Sequence, residues 1–79
     1  MTLKEFAKVA CIKQTVVIKE PTGGNGMLNL LRCIPGSSLK DSDLKSLHNR
    51  GIKIICDHYD DQGHNENYLE IILERACEN

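Results

Sequence analysis

At 79 residues the chain buries only about 60–65% of the surface that its unfolded form exposes, so its core is small and a deep catalytic cleft is not expected. Apolar residues at 41% and charged residues at 27% exclude a disordered chain, and with Phe6, Tyr59 and Tyr68 as the only aromatic residues there is no platform for stacking several bases. The net charge of −1 conceals an asymmetry, since residues 1–19 carry +3, residues 20–56 carry +2 and residues 57–79 carry −6.

The N-terminal MTLKEFAKVA has Leu3, Phe6, Ala7 and Ala10 at i, i+3, i+4 and i+7, with Thr2 three residues before Glu5 in capping-box spacing. A short helix is predicted. Lys4, Glu5 and Lys8 interrupt any longer apolar run, so neither a leader nor a membrane span is expected and the chain is placed in the cytoplasm. Residues 12–20 turn β-branched, with Ile12, Val16 and Ile18 at even positions, and predict a strand that Pro21 ends. TGGNG is a turn in which Asn25 and Gly26 accept positive φ, joining this strand to an antiparallel partner over 27–34. MLNLLRCI is apolar on more than one face, so a buried helical turn is the alternative there.

Beyond Pro35-Gly36, Asp41 as N-cap, Asp43 in the first turn, Leu44 and Leu47 one turn apart and Gly51 after the last helical residue predict a helix over 41–50. IKIICDHY predicts a third strand over 52–59. The segment NENYLEIILERACEN reads two ways. At helical period Leu69, Ile72, Leu73 and Ala76 share a face with Ile71 stranded opposite, whereas at period 2 Leu69, Ile71 and Leu73 oppose Tyr68, Glu70, Ile72 and Glu74. The strand is favoured because YDDQGHNE is short enough to return the chain, with Gly63 in the left-handed position after a type I turn.

The order helix, strand, strand, helix, strand, strand predicts one small α+β domain over 1–79, a two-layer sandwich of about four mainly antiparallel strands with both helices on one face. If the second and third strands are parallel neighbours, the connection between them is a right-handed crossover.

Chemistry concentrates in IICDHYDDQGHNE, residues 54–66. On a strand over 52–59, Cys56 and His58 project to one face together with Ile52 and Ile54, while Asp57 and Tyr59 project to the other. Cys56, His58 and the returning His64 are therefore candidate ligands for zinc, nickel or copper, with Asp60 or Asp61 to complete the shell. The competing reading, a polar hairpin tip of ordinary turn chemistry, is preferred, and no metal or other cofactor is expected. Cysteines at 11, 33, 56 and 77 contain no Cys-x-x-Cys pair and are expected to be reduced, buried or half-buried thiols. Cys56 lies among isoleucines, where burial raises a thiol pKa, and GGNG lacks the Gly-Lys-Ser/Thr of a phosphate loop, so an enzyme is not expected.

The stretch TLKEFAKVACIKQTVV has Phe6 and Ala7 in a first helix, Ile12 after the turn and QTV at 14–16 opening a second, and in this it resembles the helix-turn-helix of bacterial repressors. It departs from that pattern at Cys11, where glycine is usual, at Glu20, where an apolar residue is usual, and at Pro21, which shortens the second helix. The resemblance implies a DNA-binding regulator, but the chain lacks the basic excess that drives non-specific DNA affinity. The favoured expectation is a small protein-binding module, a regulator or inhibitor of the sort mobile elements encode. It would present Asp57, Asp60, Asp61, Glu66, Glu70 and Glu74 to a partner with a basic surface, such as a nucleic-acid-handling protein. A free strand edge also offers a route to a homodimer.

Overall fold

The computed structural model describes residues 1–22, 26–58 and 67–75. Helix α1 (Leu3–Val9) begins as its sequence predicts: the Thr2 hydroxyl accepts from the Glu5 amide at 3.2 Å while the Thr2 amide donates to Glu5 Oε1 at 2.9 Å, closing the capping box. These contacts with Thr2 hold the Glu5 carboxyl below the ordinary carboxylate range. Strands β1 (Thr15–Pro21) and β2 (Leu28–Pro35) form the antiparallel hairpin. Gly26 has φ +70° as the turn requires; Asn25 lies outside the described residues. Strand β3 (Ile52–His58) and strand β4 (Tyr68–Leu73) are the second antiparallel pair, so the last segment is a strand, as its period-2 pattern predicts.

The fold is α+β with one mixed sheet in the order β2-β1-β4-β3. The centre is a parallel pairing of β1 with β4, in which Val16 faces Leu69 and Ile18 faces Ile71. The second and third strands consequently occupy opposite edges and are not neighbours, so the condition for a crossover between adjacent strands is not met.

One face of the sheet is covered. Val16, Ile18, Leu69, Ile71 and Leu73 meet Leu3 and Ala7 of α1 and Leu39 and Leu44 of the connection to form the core, with Phe6, Ile12, Ile34 and Ile52 packed around it. The start of the chain is laced to the start of β3: the Leu3 amide donates to the Arg50 carbonyl at 3.0 Å and the Ile52 amide to the Met1 carbonyl at 2.8 Å.

The helix expected over 41–50 is not continuous. Residues Gly36–Lys40 and Ser42–Leu44 are two 3-10 turns, and only Lys45–His48 (α2) is α-helical. Leu39 and Leu44 are each 2% exposed. At about 100° per residue, five positions place two side chains some 140° apart on a helix, so both cannot face the sheet from one regular helix. An extended Asp41 (φ −66°, ψ 146°) between the 3-10 turns turns both leucines inward. Asp41 makes no side-chain cap, and its carbonyl accepts from the Leu44 amide at 3.1 Å instead. Gly36 is buried against Ile12, where an added methyl would overlap the Ile12 carbonyl oxygen. Among the described residues no helix is long and apolar enough to cross a membrane.

In urea denaturation, Ile71→Val is expected to cost about 1 kcal/mol and Thr2→Ala a similar amount, about 1 kcal/mol, through the lost cap. Ile54→Val, on the opposite face and 47% exposed, should change stability by less than about 0.5 kcal/mol. Equal effects at Ile54 and Ile71 would contradict the one-sided core.

Candidate functional site on the open face of the sheet

No helix covers the other face among the described residues. Strand pairing lays its side chains in rows: Cys33, Val17, Glu70 and Cys56 in one, Leu30, Lys19, Ile72 and Ile54 in the next, and Thr15, Tyr68 and His58 beyond. Leu30 is 57% exposed, Ile54 47% and Leu28 40%, so the margins of this face are apolar and in contact with water. Ile72 is shielded by its neighbours in the rows and is buried.

Near the centre stands a carboxylate. Glu70 is only 8% exposed although it belongs to the uncovered face, and it keeps its charge because two partners satisfy it. Lys19 Nζ lies 2.6 Å from Oε2, and His58 Nε2 donates to Oε1 at 3.2 Å. A carboxylate only accepts, which requires the proton on Nε2. His58 also stacks on Tyr68 across the β3–β4 pair, with ring centroids 4.5 Å apart and planes 10° from parallel. The Lys19 hydrogen bond holds the Glu70 carboxyl below its usual range; burial opposes this and His58 adds to it. The same bond raises the Lys19 ammonium, against a smaller opposing effect of desolvation.

Cys56 completes the cluster. It is directly paired with Glu70, and its Sγ, a His58 ring nitrogen and a Glu70 oxygen lie within 4.8 Å of one another. The expected alternation on β3 holds from Ile54 to His58 but not at Ile52. A bulge between Ile52 and Ile54 turns Ile52 to the helical face opposite Leu73, which corrects its expected place beside Cys56.

The six carboxylates expected to form an acidic face are distributed differently. Asp57 is exposed on the helical side of β3 and accepts from Gln14 Nε2 at 2.9 Å. Glu70 is buried and paired on the opposite face. Glu74 lies past the far end of β4, where its amide donates to the Gly51 carbonyl at 2.8 Å and its carbonyl accepts from Arg50 Nη2, which also binds Glu20 at 2.9 Å. Asp57, Glu70 and Glu74 therefore do not share a surface. Asp60, Asp61, Glu66 and His64 lie outside the described residues, as does Gly63. Cys11, Cys33 and Cys56 are unpaired and exposed, which corrects the expectation of buried thiols; Cys77 lies outside the described residues.

The second helix of a helix-turn-helix is absent, because residues Thr15–Pro21 form a central strand. Two hollows beside α1, one including Cys11 and Leu39 and the other including Lys8 and His48, do not bring a cysteine and a histidine together. In comparisons with known proteins no family model matches the chain, and neither does any curated protein or solved structure.

Sequence reasoning missed Glu70 as a buried group. A signal was present, since a glutamate between Leu69 and Ile71 on a strand that also carries Ile72 and Leu73 demands a cationic neighbour, and only the parallel pairing shows that Lys19 supplies it.

The depressed Glu70 pKa carries a pH signature. The carboxylate contributes stability above its unfolded value, about 4.3, and that contribution is lost as pH falls through the lower folded value. In chelator-containing buffer, Glu70→Gln should flatten the fall in unfolding free energy between neutral and acid pH relative to wild type. Parallel curves for the two proteins would show that the pair adds nothing to acid stability.

Proposed function

We propose that this chain is a non-enzymatic protein-binding module, a small regulator or inhibitor, that engages its partner through the uncovered face of the sheet. The supporting observation is the one-sided packing: Leu28, Leu30 and Ile54 are large apolar side chains left in water on a face that also carries Val17 and Cys33. Large apolar side chains left in water on both sides of the Lys19–Glu70 pair, all on one uncovered face, support an interaction surface there. The partner inferred has an apolar contact surface with basic side chains beside it. Residues 57–79 carry −6, and Asp60, Asp61 and Glu66 belong to the segment joining β3 to β4, so attraction to a basic surface would accelerate and orient docking. A nucleic-acid-handling protein, with its basic groove, has that chemistry. The cytoplasm is the compartment that would keep the exposed thiols of Cys11, Cys33 and Cys56 reduced.

Capture from extract of the source cells, followed by binding measurements with the partner so identified, tests this reading. L30K/I54K should keep the wild-type fold by circular dichroism and lose at least about tenfold in affinity, since charges placed at apolar contact positions cost more than about 1.4 kcal/mol. K4E/K8E, on α1, should bind as wild type. D60K/D61K/E66K should slow association and remove most of its salt dependence. Unchanged binding by L30K/I54K would overturn the assignment of the face. A wild-type homodimer in sedimentation that L30K/I54K disperses, without any other partner, would make the face a self-interface instead.

A further inference from the structure

We propose that Cys56, His58 and Glu70 form a zinc site on the open face, with a fourth position left to water. The three groups come from two adjacent strands by the simplest sheet geometry. Cys56 and His58 are two apart on β3 and so share a face, and Glu70 is the direct cross-strand partner of Cys56. Their donor atoms, one thiolate sulfur, one imidazole nitrogen and one carboxylate oxygen, already lie within 4.8 Å of one another, and His58 Nε2 is 3.2 Å from Glu70 Oε1. Ligands of a tetrahedral zinc ion stand about 3.3–3.8 Å apart, as metal–ligand distances of about 2.0–2.3 Å dictate. Cys56 is exposed and His58 half-exposed, and rotation of these two side chains, with His58 shifting on the Tyr68 ring, is the adjustment the site requires.

The donor set selects the metal. A mixed sulfur, nitrogen and oxygen set suits zinc, whereas magnesium and calcium require oxygen ligands throughout. Thiolate and carboxylate offset the charge of a divalent ion, and the Lys19 ammonium beside Glu70 leaves the whole site one unit positive. Lys19 holds Oε2 at 2.6 Å, which leaves Oε1 directed at His58; Lys19 thus orients the carboxylate without occupying the metal-facing oxygen. On binding, the Cys56 S–H bond breaks and its proton passes to solvent, while the His58 ring proton moves from Nε2 to Nδ1, freeing the Nε2 lone pair. The ion then takes the place of the proton that Nε2 gives to Oε1. This set differs from Cys56, His58 and His64 by exchanging His64, outside the described residues, for a residue fixed in the central pairing of the sheet.

Titration of the full-length, reduced, metal-free chain with cobalt(II), which reports thiolate ligation by a charge-transfer absorption, tests the site. Wild type should give that band at one ion per chain, zinc should abolish it by competition, and zinc should raise the melting temperature. C56S should lose the band, and H58Q and E70Q should each weaken binding at least tenfold, while C11S and C33S bind as wild type. H58Q changes a half-exposed position and keeps the test decisive if E70Q fails to fold. A band that survives C56S, an H58Q variant of wild-type affinity, or loss in H64A with E70Q unaffected would overturn the proposal. Cobalt binding is read on the isolated chain, so its outcome is separate from that of partner capture.

Discussion

The parallel pairing of β1 with β4 is the constraint on which the rest of the molecule depends. It brings Val16 against Leu69 and Ile18 against Ile71, and these four side chains with Leu73 form the floor on which α1 and the 3-10 turns pack. Both central strands are flanked on each side, so their amides and carbonyls are satisfied within the sheet, and the hairpin partners β2 and β3 are left to form its edges. Each edge strand carries one register shift, at Ile18/Lys19 opposite β2 and at Ile52/Ile54 in β3. Such bulges interrupt the regular ladder that a foreign strand would need and so discourage edge-to-edge association.

The same register decides what the uncovered face contains. Because Val17 is level with Glu70, Lys19 comes close enough to hold the Glu70 carboxylate from the neighbouring strand. Removing Lys19 would leave the nearly buried Glu70 without its cation, a costlier outcome than replacing both, whereas Lys19 without Glu70 keeps contact with water. The pair therefore fixes the alignment of β1 and β4 on the side where no apolar packing does so. It also places a preorganised carboxylate oxygen beside His58 and Cys56, giving a surface with apolar margins one cluster of chemically distinctive groups.

Much of this was legible in the sequence, and the failures have identifiable physical causes. The capping-box spacing of Thr2 and Glu5 located α1, and period-2 alternation from Leu69 to Leu73 decided between strand and helix at β4. Alternation does not, however, encode strand direction: β1 and β4 carry the same apolar pattern whether they run parallel or antiparallel, so the order of the sheet was hidden. Between residues 41 and 50 the cap and leucine signals were genuine but local. Asp41 is extended at the expected cap position, but Ser42–Leu44 winds as a 3-10 turn and only Lys45–His48 is α-helical, while a separate 3-10 turn, Gly36–Lys40, buries Leu39. A bulge at Lys53 leaves no mark in the run IKII, yet it determines that Ile52 enters the core while Ile54 faces water. At the candidate site, Cys56 and His58 could be read from their spacing, whereas Glu70 joined them only through pairing between strands.

The central ladder also governs the order in which the chain can fold. The hairpin of β1 and β2 is local and forms from neighbouring residues, but β1 remains an open edge until β4, near the other end of the chain, docks beside it. Closing that long loop costs entropy before any of the central contacts repay it, which slows folding relative to a chain of the same length built from local pairings. On a translating ribosome, every element through β3 must emerge before the sheet has a middle. Until then the hairpin can display Val16 and Ile18 to whatever is nearby, and the burden of avoiding misassociation falls on the speed with which the last strand arrives.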